Sequence, residues 1–297
     1  MQTTTAHDVL DYYARPGRMT SADGHADLLG PLPREAGACA RIIQGLLLHE
    51  HLAAPAYGIT LSAEQRAESQ IRPAEEMLER LRARGAQPQA GLPVEERLVG
   101  TCRNFSVLFV AMLRAQGIPA RARCGFGGYF VPGFFEDHWV AEYWSEAEGR
   151  WVRVDAQIDD VQRRLLRIDF DVLDVPHDRF LIAGDAWARC RAGEADPAAF
   201  GLSLLKLSGL WFIAGNLLRD AAALNKVEML PWDVWGAMPG PDEPLGEEQL
   251  AFFDHIAALT RAPDASFDEL RALYEGDERL RVPATIFNAI RNQPETI

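Results

Sequence analysis

The chain has 297 residues, 48% of them hydrophobic and 25% charged, with 24 Gly and 18 Pro, a composition that excludes a disordered, collagenous or disulfide-scaffold protein. Its 30 Lys and Arg against 43 Asp and Glu leave a formal charge of −13. That balance argues against nucleic-acid binding, which rests on clustered cations, and leaves small-molecule and peptide substrates open. Cys39, Cys102, Cys124 and Cys190 are widely spaced with no CxxC pair, so reduced thiols are expected. The amino-terminal segment lacks a charged region followed by an apolar one, which points to a cytoplasmic location.

Along the first hundred residues the pattern is helical and broken by loops. Ser62 followed by Gln65 is a capping-box signal, and Pro73, Glu75 and Glu76 open a further helix that Gly85 closes. A Gly, Pro and Gln rich loop follows, up to Pro93. From Thr101 to Gln116 the apolar residues Phe105, Leu108 and Met112 recur at helical spacing until Gly117-Ile118-Pro119 stops them. Strand patterns then cover Ala120–Phe126, His138–Trp144 and Arg150–Asp155. One helix followed by consecutive strands predicts an α+β fold. Beyond residue 200 the pattern predicts helices over Leu202–Asn225, Glu247–Arg261 and Ala284–Arg291, with a loop over Met229–Pro244. The apolar run Leu202–Leu218 contains Lys206 and Asn216 and is short for a bilayer span, so a buried helix and no membrane association are expected. The sequence leaves the oligomeric state open.

Three residues suggest chemistry. Cys102 stands at the start of the best-delimited helix, where unpaired N–H groups and the helix dipole favour a thiolate. The other reading is an inert buried thiol. His138 follows a Gly, Pro and Phe rich segment and opens an alternating strand, which predicts an imidazole at a sheet edge facing a cleft. If Ser145–Gly149 is a hairpin turn, the strand ending at Asp155 runs back along it, and Asp155 lies opposite His138 or within two positions of it. A carboxylate so placed orients the imidazole of a nucleophile, base and orienter set.

The runs Thr101-Cys102-Arg103-Asn104-Phe105, Leu113 to Arg121, Asp137-His138-Trp139-Val140-Ala141-Glu142-Tyr143-Trp144 and Trp151-Val152-Arg153-Val154-Asp155 resemble the transglutaminase-like superfamily core. The resemblance implies a papain-like arrangement in which a helix bearing the Cys packs on an antiparallel sheet bearing the His and Asp, with Cys102 as nucleophile, His138 as base and Asp155 as orienter. On this reading the core covers about 96–165 within residues 1–199, and residues 200–297 form a mainly helical extension packed on it. The expected activity is cysteine-dependent acyl transfer or amide hydrolysis on a peptide or small amide, without a cofactor. The alternative is a non-catalytic peptide-binding or assembly module of the same fold.

Further residues have weaker claims. His49-Glu50-His51 lies where a helix leads into a turn, and its i, i+2 spacing does not suit the helical zinc motif, so no metal is expected. Tyr57, or one of these histidines, is a candidate to help an oxyanion, a role the family gives to a side chain upstream of its Cys. Arg121 and Arg123 share one strand face and either pair with neighbouring acids or fork a substrate carboxylate. Trp139 either walls the cleft or fills the core. Trp232 and Trp235, on the proline-stiffened loop, are candidates for an apolar wall beside the Cys102 cleft, or anchors of their own loop.

Overall fold

The computed structural model describes residues 4–29, 32–241 and 243–297. In chain order the elements are helices α1 (Ala6–Ala14), α2 (Ala26–Leu29) and α3 (Ala36–Leu46), strand β1 (Leu47–His49), helices α4 (Ala53–Tyr57), α5 (Ala63–Ala67) and α6 (Ala74–Ala83), and strand β2 (Leu98–Gly100). Helix α7 (Cys102–Arg114) leads to strands β3 (Ala120–Val131), β4 (Phe134–Ser145) and β5 (Arg150–Val154). Then come α8 (Asp160–Leu166), β6 (Phe180–Ile182), α9 (Ala183–Arg191), β7 (Phe200–Leu202), β8 (Leu207–Ser208), α10 (Leu210–Leu224), β9 (Asp233–Val234), α11 (Glu247–Arg261), α12 (Phe267–Gly276), β10 (Thr285–Asn288) and β11 (Gln293–Thr296). The α+β class holds.

The main sheet orders its strands β6-β3-β4-β7-β8, with β5 also paired to β4, and the β4–β7 pair runs parallel among antiparallel neighbours. Two compact units share the chain: residues 10–122 with 139–176, and residues 1–9 with 123–138 and 177–297.

In the unit of residues 10–122 and 139–176, the capping box is present, Ser62 Oγ accepting from the Gln65 N–H and Gln65 Oε1 from the Ser62 N–H. Pro73 is the residue before the first turn of α6, and Gly85, at φ +70°, follows its end, where the missing Cβ permits the left-handed turn. Helix α7 is buried along its whole length and packs on α3, α6 and β2. The segment Leu47–His49 is a strand rather than a helix end: β1 runs parallel to β2 with His49 opposite Gly100.

In the other unit, α10 packs against α9 and α11 and is buried from Phe212 onward. The expected helix over Leu202–Asn225 begins only at Leu210, because Lys206 at φ +55° and Gly209 at φ +120° turn the chain through β7 and β8 first. The expected helix over Ala284–Arg291 is instead the β10–β11 hairpin, with Ile286 and Asn288 inward and Thr285 and Phe287 outward; a period of two wins where β-branched and aromatic residues are adjacent. Among the described residues no helix is long and apolar enough to cross a membrane.

Candidate active site

Strand β2 delivers the chain to Thr101, whose extended backbone caps α7, so that Cys102 is the first helical residue. Two polar residues beyond the thiol hold this end in place. Asn104 accepts hydrogen bonds from the Thr101 N–H and Oγ1–H, both 3.0 Å, while its amide donates to the Ile71 carbonyl at 2.9 Å. Arg103 is fully buried and donates to the Arg72 carbonyl at 2.5 Å. Gly100 is required here, because a Cβ would lie 2.8 Å from the Asn104 Cβ. Cys102 is 6% exposed and sits at the start of α7, where the first N–H groups of a helix have no partner within it. His49, across the β1–β2 pair, has its ring 6.5 Å from that of Phe105, and its Nδ1 accepts the His51 N–H.

The same unit holds Asp155. The hairpin turn falls at Ser145–Gly149 as expected, with Ser145 opposite Arg150 and Ala141 opposite Val154. Asp155 directly follows Val154, the last residue of β5. Asp155 is buried, its N–H donates to the Val172 carbonyl at 2.8 Å, and its Oδ1 accepts the Gln157 N–H at 3.1 Å. Beside it runs a set of polar side chains. Gln157 Nε2 donates to Gln162 Oε1 at 3.2 Å, Gln162 Nε2 to the Tyr57 oxygen at 3.0 Å, and the Tyr57 hydroxyl to Asp159 Oδ2 at 2.6 Å. Burial first, then this bond to Asp159, pushes the Tyr57 phenol up. Its one proton is therefore spent on Asp159, which corrects the expectation that Tyr57 helps an oxyanion. Sequence reasoning missed Gln157, Gln162 and Asp159; the signal for Asp159 was an N-cap carboxylate, which accepts from the Val161 and Gln162 N–H groups at the start of α8.

His138 belongs to the other unit. It lies in the middle of β4, not at the opening of a strand on a sheet edge, because only Pro132 and Gly133, the latter at φ +76°, form the turn and the flanking Phe-rich residues are extended. The imidazole is 2% exposed and ringed by Tyr129, Phe130 and Phe180, with centroids at 5.8, 4.7 and 6.2 Å. Its neighbour Asp137 accepts from Asn216 Nδ2 at 2.8 Å. Burial pushes the Asp137 carboxyl up to about 6 against the opposing pull of Arg219, Asn216 and His138.

The remaining candidates fall mostly to structural roles. Arg121 and Arg153 both bind the Glu142 carboxylate, at 2.8 and 3.1 Å, and Arg121 stacks 3.9 Å from the Trp151 ring centroid. Arg123 binds both oxygens of Asp220. The carboxylate fork is thereby corrected, since both guanidiniums are buried in internal pairs. Trp139 is fully buried and fills the core rather than walling a cleft. Trp235 is buried and donates to the Leu280 carbonyl at 3.0 Å, so it anchors its loop. Trp232 is half-buried, with its carbonyl accepting from the Ala289 N–H. Among the described residues no group of three or more His, Cys, Asp or Glu side chains is placed to hold a metal ion.

A comparison with curated proteins returned no match. A solved structure named "Putative Cysteine Protease from Cytophaga hutchinsonii" is 19% identical, with a TM-score of 0.34 over 58% of this chain and 44% of that one. The chain thus spans less than half the length of that protein. The sequence profile of the Transglutaminase-like superfamily matches residues 56–156, which takes in α7, the whole of β3, β4 and β5, and Cys102, His138 and Asp155. Over residues 56–156 the chain is thus similar to the Transglutaminase-like superfamily.

Proposed function

We propose that the protein is a cysteine enzyme acting on an amide of a peptide or small molecule, with Cys102 as nucleophile, His138 as general base and acid, and Asp155 as orienter of the imidazole. The single observation that carries this reading is Cys102 as the first residue of α7, inside the family-matched segment, at the place where a helix start favours a thiolate. Cys102 Sγ attacks the carbonyl carbon, the imidazolium gives its proton to the leaving amine nitrogen, and the C–N bond breaks to leave a thioester. Water, deprotonated by the imidazole, then releases the acid and frees the thiol. Hydrolysis is preferred over transfer to an amine, because water needs no second binding site.

A second reading, a binding module that keeps the fold without turnover, is favoured by the near-complete burial of Cys102 and His138. Intact-mass trapping against a library of peptides and small amides separates the two. The enzyme reading expects an acyl adduct on Cys102 that disappears in Cys102→Ala, whereas binding without any covalent adduct supports the module.

A further inference from the structure

The polar side chains next to Asp155 can be read as a chain with only one direction. Asp159 Oδ1 accepts the Val161 and Gln162 N–H groups, both at 2.9 Å, and its Oδ2 accepts the Tyr57 hydroxyl. A carboxylate only accepts, so Tyr57 must give it its sole proton and keep a lone pair for Gln162. Gln162 must then turn its NH2 toward Tyr57 and its oxygen toward Gln157, and Gln157 must answer with its own NH2. Neither amide can flip without setting two acceptors or two donors against each other, so the orientation of Gln157 is fixed from Asp159 outward. The chain ends at Gln157 Oε1, which is buried without a hydrogen-bond partner in the protein.

The same Gln157 donates its main-chain N–H to Asp155 Oδ1 at 3.1 Å. We propose that Tyr57, Gln162 and Gln157 are positioning residues: their one-way hydrogen-bond chain locks the turn after β5 and thereby sets the rotation of the Asp155 carboxylate. This rests on the reading of Asp155 as the orienter of His138. Its consequence is electrostatic. A correctly rotated Asp155 stabilises the imidazolium, which in turn favours the Cys102 thiolate at low pH; a loosened carboxylate does so less.

The test uses the full chain and needs no substrate. The rate of iodoacetamide alkylation of the Cys102 peptide is followed by mass between pH 4 and 9 in the wild type, Asp155→Asn, Tyr57→Phe, Gln162→Met and the double variant Tyr57→Phe/Asp155→Asn. Thermal melts identify any variant that has failed to fold, and Gln162→Met breaks the chain independently should Tyr57→Phe do so. The expected result is a rise in reactivity that moves up by about one pH unit in Tyr57→Phe and Gln162→Met, a loss of about tenfold in rate below the midpoint. In the double variant the tyrosine change should add nothing to Asp155→Asn, because it acts through Asp155. Wild-type-like profiles for both chain variants, or an effect of Tyr57→Phe that persists on Asp155→Asn, would overturn the positioning role. An ordinary thiol profile in the wild type, unmoved by Asp155→Asn, would instead overturn the enzyme reading on which it rests.

Discussion

At the scale of single residues, the structure accounts for the polar pair that follows the nucleophile. Arg103 and Asn104 hold the Ile71–Arg72 carbonyls and the Thr101 cap, so they brace the start of α7 without consuming the thiol. Asp137 yields a pH prediction. Its carboxyl is raised from 3.8 to about 6 by burial, so between these values the folded chain binds more proton than the unfolded one. Its stabilising contribution is therefore complete below about pH 4 and is lost as pH rises through 6. Asp137→Asn should remove this loss, gaining on the order of 2 kcal/mol relative to wild type between pH 4 and pH 6.5, as read by urea unfolding at both pH values. Parallel pH profiles for the two proteins would contradict it. The helix start at Cys102 and the pairing of β4 with β5 were legible in the sequence, because helix capping and hairpin pairing are local. The commitment of the Tyr57 hydroxyl was not, since its partner Asp159 is 102 positions away.

At the scale of elements, local rules worked where the signal was a stop and failed where tertiary pairing decided. Helix α11 coincides with its expected bounds at Glu247–Arg261, and α7 ends within two residues of its own. The strands β3 and β4 run longer than their alternation suggested, because each continues through aromatic and glycine residues that the partner strand stabilises. The apolar run before α10 read as one helix because hydrophobicity alone does not register the positive φ of Lys206. Helix α12 was missed outright. The β2–α7 junction carries the prediction at this scale. In Gly100→Ala the new methyl meets the Asn104 Cβ at 2.8 Å, and Asn104 cannot yield because its carbonyl and amide groups are both bonded. The expected cost is about 1–3 kcal/mol, measured by chemical denaturation, together with slower alkylation of Cys102. An unchanged midpoint would mean that the junction relaxes freely.

At the scale of the molecule, the carboxyl-terminal helices belong to a unit that also contains residues 123–138, so sequence order does not follow the compact units. Arg123, 2% exposed at its side chain, is neutralised by Asp220 on α10, and α9 packs on both α10 and α11. Truncation after Ala199 would strand a buried guanidinium, a defect costing about 3–5 kcal/mol on its own, and would uncover the apolar face of α9. The truncated chain should lose a cooperative melt and bind hydrophobic dyes; a soluble, sharply melting fragment would contradict the interdependence of the two segments.

Whether Cys102 is a nucleophile served by His138 is decided by rapid mixing with an activated ester such as p-nitrophenyl acetate, with peptide-level mass readout in the wild type and in His138→Ala. The expected result is a burst of one acyl group on Cys102 in the wild type, followed by slower turnover, and loss of that burst in a folded His138→Ala. Acylation confined to another residue such as Cys190, or an undiminished burst on Cys102 without the imidazole, would contradict it.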